Sequence, residues 1–141
     1  MPQKSFNMKG FYHPGGADRG GAMTAQGGYF LENDIRKFDN NFFGINNLET
    51  VYLDPQQRQL LEVVYECLEN AGISMDQISD TTTGVYVGNF TMDYQAMQNR
   101  DPDYGSRYSA TGSGTAILAN RISHVFNLHG PRYTFDLASF V

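Results

Sequence analysis

Cysteine is almost missing from this sequence: Cys67 stands alone among 141 residues, which excludes an internal disulfide. Histidine is also scarce, and the scattered His13, His124 and His129 leave no zinc-type spacing. Long apolar runs are absent, the longest being the four residues Ala116 to Ala119, whereas a membrane span needs about 18 or more. No charged, apolar leader opens the chain, so the expectation is a soluble, cytoplasmic protein with no membrane partner. Positive charge is in deficit: 10 Lys and Arg against 15 Asp and Glu give −5, and residues 51–100 hold two basic and seven acidic side chains. A basic groove for nucleic-acid phosphates is therefore not expected.

What is present fits one domain. Seven glycines within residues 10–28 lack the side-chain volume for a core element and lose much entropy on ordering, so this stretch reads as a surface loop. Aromatic and aliphatic anchors follow among Asp and Asn (Tyr29, Phe30, Phe38, Phe42, Phe43, Ile45) and should pin short turns to a body formed later in the chain. Asp54-Pro55 marks a helix start, an acidic N-cap before proline at the first helical position, and Gly72 marks its end. Leu60, Val64, Cys67, Leu68 and Ala71 would form its apolar stripe, with Glu62, Glu66 and Glu69 on a solvated face.

Gly84-Val85-Tyr86-Val87-Gly88 has the continuous apolar character of a strand buried on both faces. Residues 89–108 suit a loop and a short helix. A glycine-rich turn, Thr111 to Thr115, then leads into a helix on which Leu118, Ala119, Ile122, Val125 and Phe126 share a face. Gly130-Pro131 should stop that helix before a last strand at about Tyr133 to Leu137. The alternation of helices and strands predicts an α/β fold with a largely parallel sheet.

Few local features carry chemistry. The Thr111 to Thr115 turn offers backbone N–H groups to an anion, but it lacks the lysine of a triphosphate loop and the third glycine of a dinucleotide fingerprint; close packing of helix on sheet is the simpler purpose. Cys67 reads as a small core residue. His124 and His129 have no cysteine, serine or acid at a spacing that would make either a general base.

Taken in order, eight stretches resemble the β-ketoacyl synthase (ketosynthase) domain of polyketide synthases, particularly the fungal highly reducing type. They include Phe11-Tyr12-His13-Pro14, Ile35-Arg36-Lys37-Phe38-Asp39, Leu53-Asp54-Pro55-Gln56-Gln57-Arg58, Gly84-Val85-Tyr86-Val87-Gly88 and Ala119-Asn120-Arg121-Ile122-Ser123. The resemblance implies an incomplete thiolase-like fold, part of the N-terminal half of a layered αβαβα ketosynthase. Residues 1–141 would form a partial domain lacking its first strand and ending at the nucleophile turn, with the loop 10–28 inside it. It also implies decarboxylative Claisen condensation of an acyl thioester with a malonyl unit in polyketide biosynthesis. The partners implied are an acyl carrier protein, whose phosphopantetheine arm bears the thioester, and a second ketosynthase copy; no metal or directly bound cofactor is implied.

The family's nucleophilic cysteine aligns with Ser139, in Asp136-Leu137-Ala138-Ser139-Phe140-Val141. A thiolate at a helix N-terminus exchanges acyl groups with a thioester, while a serine hydroxyl needs a strong neighbouring base. The family's catalytic histidines and lysine follow the nucleophile, and His13, His124 and His129 match none of them. The expectation is thus a ketosynthase fragment that cannot complete condensation. The alternatives are a non-catalytic module that pairs with an intact ketosynthase, and a small anion-binding α/β protein built on Thr111 to Thr115.

Overall fold

The computed structural model describes residues 8–16, 20–25, 31, 34–100, 103 and 107–136, which fall into two compact units, Met1–Asp34 and Ile35–Val141. In the first, one helical turn, α1 (Met8–Phe11), precedes a single parallel bridge between Tyr12 and Met23. The His13 N–H donates to the Met23 carbonyl at 3.0 Å and the Met23 N–H to the Phe11 carbonyl at 2.8 Å. These are the described parts of the glycine-rich stretch.

The second unit carries the core. Phe43 and Ile45 are buried, and Phe42 meets Tyr65 edge to face at 4.8 Å, so Phe42 does anchor on a later helix, while Tyr29 and Phe30 lie outside the described residues. That helix, α3 (Pro55–Asn70), follows α2 (Asn47–Tyr52). Asp54 caps it by accepting from the Gln56 N–H at 2.8 Å, with Pro55 in the first turn. Its end is closed by Gly72 at φ +70°: the Gly72 N–H donates to Glu69 and the Ile73 N–H to Leu68, the paired bonds of a left-handed C-terminal cap. Both boundaries agree with the sequence.

The buried face of α3 is rotated from the expected stripe. Leu61 is fully buried and Leu68 nearly so, with Gln57 beside them, while Cys67 is exposed. At about 100° per residue, Leu68 lies roughly in line with Leu61 and Cys67 roughly 120° away from it. The expectation that Cys67 is a core residue is therefore corrected: the stripe is centred on Leu61, and Cys67 falls off its edge.

After the short α4 (Met75–Ile78), strand β1 (Val85–Asn89), α5 (Asp93–Gln98), α6 (Ser109–Ser113), α7 (Ile117–Val125) and β2 (Arg132–Asp136) follow. The strands pair in parallel, with Val85 opposite Arg132 and Asn89 opposite Asp136, as the α/β alternation required. Helix α7 buries Leu118, Ala119, Ile122 and, just past its end, Phe126. It packs on one face of the sheet, and the Ala119 N–H donates to Thr134 Oγ1 at 3.3 Å.

Two further expectations are revised. Helix α7 ends before Gly130: Asn127 adopts φ +51° and the Leu128 N–H returns to the Ser123 carbonyl at 2.8 Å, so asparagine supplies the left-handed cap. Gly130 serves instead as a close-approach point, since a Cβ there would overlap the Thr82 and Thr83 carbonyls. Strand β1 is buried on one face only. Val87 and Asn89 are buried while Tyr86 and Gly88 are exposed, because α7 covers just one side of the pair.

Candidate functional site

In parallel α/β sheets the ligand crevice lies beyond the carboxyl ends of the strands, and a cleft of about 280 Å³ is found there. Asn89 and Phe90 from the end of β1, Thr134 and Asp136 from β2, and Thr115 and Ala116 from the α6–α7 turn line it, with Met92 at the rim. Its wall thus mixes amide and hydroxyl groups with apolar surface. The Asn89 side chain is buried, and its Nδ2 donates to the Thr91 carbonyl at 3.3 Å.

Strand β2 delivers the chain to this cleft at Asp136. Ser139, three residues further on, lies outside the described residues, as do its neighbours at 137–141. Cys67 is exposed on α3 and does not line the cleft. His124 borders a different cavity with Asn120 and Arg121, and His129 Nε2 contacts Asp80 Oδ1 at 3.0 Å on the surface. Neither histidine reaches the carboxyl-end cleft. Among the described residues no three His, Cys, Asp or Glu side chains gather to hold a metal ion, and no helix is long and apolar enough to cross a membrane.

One wall of the cleft is braced by a polar network on the far side of the α6–α7 turn. Arg121 on α7 pairs through Nη1 with Glu49 of α2. Its Nη2 donates to the Thr111 carbonyl at 3.2 Å and its Nε to Gln57 Oε1 at 3.3 Å. Gln57 in turn donates to the carbonyls of Thr111 and Gly112 at 3.2 and 3.0 Å. One guanidinium therefore ties α2, α3, α6 and α7 together, using the forked donors that only arginine has. The sequence offered a partial signal, since Gln57 sits one turn before Leu61 on the buried stripe, but nothing local connects it to Arg121.

The same network takes up part of the stretch Thr111 to Thr115. Thr111, Gly112 and Ser113 belong to α6, not to a turn at the start of α7. Thr111 and Gly112 offer carbonyl oxygens to Gln57 and Arg121, while the Gly112 and Gly114 N–H groups are spent on Tyr108 and Ala110. Glycine is needed at 112 for packing, as expected, but against a different surface: a Cβ there would overlap the Tyr52 carbonyl, at the point where the Asp54 N–H donates to Gly112 at 2.8 Å. The partner is the α2–α3 junction and not the sheet.

Burial also shifts two acids. Asp54 has its pKa raised by desolvation, partly offset by the Gln56 N–H and by Arg58. Glu62 is raised by desolvation and by Glu66, against the pull of Arg58. Arg58 is itself buried, donating weakly to the Arg36 carbonyl at 3.5 Å.

Comparison with known proteins gives this geometry its context. Residues 1–139 match the family described as β-ketoacyl synthase, N-terminal domain. The chain is 62% identical over 138 residues to the highly reducing polyketide synthase virA of Hypocrea virens and 61% identical over 137 residues to fogA of Aspergillus ruber. These alignments cover 98% and 97% of the chain, which spans about 6% of the length of each of these curated relatives. Among solved structures, the oxazolomycin ketosynthase domain from Streptomyces albus superposes with a TM-score of 0.78 at 34% identity, over 96% of this chain and 23% of that one. The ketosynthase from module 6 of the Bacillus subtilis bacillaene synthase gives 0.73 at 29%, over 96% and 20%. The parallel strand pair with its covering helix is thus part of a thiolase-like α/β fold, and the chain belongs to the β-ketoacyl synthase N-terminal domain family, alongside fungal highly reducing polyketide synthases.

Proposed function

We propose that residues 1–141 are part of a ketosynthase domain whose whole protein performs decarboxylative Claisen condensation in polyketide biosynthesis, in the cytoplasm. In that reaction a cysteine thiolate attacks the thioester carbonyl of an acyl chain and expels the phosphopantetheine thiol. A malonyl unit on an acyl carrier protein then loses carbon dioxide, its enolate carbon attacks the enzyme-bound acyl carbonyl, and the cysteine leaves as thiolate. The carrier protein and a second ketosynthase copy are the partners of the whole protein. The amide and hydroxyl groups of Asn89, Thr115 and Thr134 beside Phe90 and Met92 suit an arm that alternates amides with methylenes.

This chain itself does not complete the reaction. The observation that carries the reading is that β2 ends at the cleft with Asp136, while Cys67, the only thiol in the chain, is exposed on α3. A serine hydroxyl needs a strong neighbouring base to exchange with a thioester, and His13, His124 and His129 match none of the family's catalytic histidines. The purified chain should release no carbon dioxide from malonyl carrier protein, and intact-mass analysis should find no acyl adduct at Ser139 after incubation with an acyl thioester. Carbon dioxide release or a Ser139 adduct would overturn the inactive reading. Acylation that appears on Ser139→Cys would support Ser139 as the nucleophile's position, and its absence would count against that assignment.

A further inference from the structure

We infer that Asn89 and Thr134 form a paired reader, one acceptor and one donor, for a neutral group that itself both donates and accepts a hydrogen bond, carried on an otherwise apolar chain. A hydroxyl or a secondary amide is such a group. The inference deepens the ketosynthase reading and rests on it for the two sources of that chemistry, the reduced acyl chain and the amide-bearing carrier arm.

Hydrogen-bond accounting fixes the role of each side chain. Asn89 is buried, and its Nδ2 donates to the Thr91 carbonyl at 3.3 Å, which Gln56 Nε2 also approaches at 3.4 Å. Turning the Asn89 amide over would set its oxygen against that carbonyl, so Oδ1 is the atom left for the cleft. It has no hydrogen-bond partner among the described residues, yet it is not sealed from solvent as the orphaned Gln98 Oε1 is. Thr134 is the complement: its Oγ1 accepts the Ala119 N–H at 3.3 Å, and its proton remains to donate. Asn89 and Thr134 share the covered face of the sheet, with Thr134 beside Val87 and Asp136 beside Asn89. Strands about 4.8 Å apart with a rise of about 3.3 Å per residue put the two Cα atoms about 8 Å from each other, a gap that two side chains and one bridging group fill.

The rest of the cleft selects against charge. The first three N–H groups of α7, which would otherwise draw an anion, go to the Gly114 and Thr115 carbonyls and to Thr134 Oγ1. The Asp136 carboxylate on the wall repels a negative group, while Phe90, Met92 and Ala116 supply apolar surface. An ammonium, all donors, would leave the Thr134 proton unmatched. A ketone would satisfy Thr134 but set a methylene against Asn89 Oδ1, and an acceptor left unpaired in this way is what discriminates between ligands.

The test titrates the full 141-residue chain with four probes of matched size, hexan-3-ol, N-ethylpropanamide, hexan-3-one and hexanoate, followed by nitrogen–proton NMR shifts. The alcohol or the amide should bind at least fivefold tighter than the ketone, with hexanoate weakest and with the Asn89 side-chain amide among the shifted signals. A tighter alcohol assigns the reader to the acyl chain, and a tighter amide assigns it to the carrier arm. Asn89→Leu, close in shape but without the acceptor, should erase the preference, and Thr134→Ser should keep it. If Asn89→Leu changes the far-UV circular dichroism of the chain, the probe ranking and shifted signals of the unsubstituted chain decide. A ketone that binds as tightly as both, a carboxylate that binds best, or no saturable binding of any probe overturns the inference; so does a preference that survives in a folded Asn89→Leu chain. Each of these results leaves the ketosynthase reading standing, because none depends on acylation at Ser139, and a Ser139 adduct would leave the probe ranking unchanged.

Discussion

Replacing Gly112 by alanine sets two effects of opposite sign against each other. Gly112 lies inside α6, and glycine in a helix interior is disfavoured relative to alanine by about 1 kcal/mol, so propensity alone makes Gly112→Ala stabilising. Packing says the reverse, because the new Cβ would overlap the Tyr52 carbonyl and crowd the Leu53 nitrogen. Overpacking of this kind costs roughly 1–3 kcal/mol, and the obstacle is backbone, which cannot rotate aside. Moving α6 to relieve it would stretch the Asp54-to-Gly112 bond of 2.8 Å and the two Gln57 bonds, each worth about 1 kcal/mol. The sum is a net loss of about 2 kcal/mol, close to a 30-fold change in the unfolding equilibrium. With a urea dependence of about 1–3 kcal/mol per molar, the midpoint should fall by roughly 1 M. The chain has no tryptophan, so far-UV circular dichroism is the suitable probe. Gly20→Ala, where a Cβ would meet nothing within 4 Å, is the control and should leave the midpoint unchanged. An unchanged or raised midpoint for Gly112→Ala would refute the close approach of α6 to the α2–α3 junction.

Arg121→Met should cost about 3 kcal/mol, because it strands Glu49, Gln57 Oε1 and the Thr111 carbonyl together; Arg121→Lys should recover less than half of that, since one ammonium cannot span the three acceptors, and full recovery by lysine would sink the bracing role. Leu61→Ala, at a fully buried position, should lose about 2–5 kcal/mol in the same urea assay. Cys67 should react with Ellman's reagent in the native chain, one thiol per molecule, and reaction only after denaturation would contradict its exposure. Asp54→Asn tests the buried acid: burial raises its folded pKa, so the stability contributed by its protonated form is present below the ordinary carboxylate range and is lost as pH rises through the raised folded value. Asparagine caps a helix about as well as aspartate, so the variant should be at least as stable at pH 7 and lose less stability between acid and neutral pH; a steeper loss would show that the cap's charge stabilises the helix.

The elements legible in the sequence are those whose signals are local. Asp54-Pro55 and Gly72 bracket α3 because N-caps and left-handed C-terminal residues act within a turn of where they stand. The parallel pairing of β1 and β2 followed from helices intervening between two short apolar runs. The errors arose where a local signal competed with a distant partner. Gly130 looked like a helix stop but is set aside for the approach of Thr82 and Thr83, more than forty residues earlier, which left Asn127 to close α7. Cys67 looked like core because it is apolar and lies near the stripe, yet the orientation of α3 is set by Leu61, Leu68 and the contact of Gln57 with α6.

The site divides along the same line. A cleft beyond the strand ends is a consequence of parallel topology, so its place was implicit once the strands were recognised. The residues that shape its wall were not, because they act through Arg121 across four helices. In the glycine-rich stretch whose N–H groups the sequence offered to an anion, the Thr111 carbonyl instead points its negative end at that guanidinium and the Gly112 carbonyl at the Gln57 amide. The sign of the local field at this turn is therefore decided by a residue on another element. The same reasoning explains the open sheet face: Tyr86 and Val87 are adjacent in one apolar run, and only the one-sided placement of α7 buries Val87 and leaves Tyr86 exposed. An apolar run tells that a strand has two faces to cover, and the chain itself covers one.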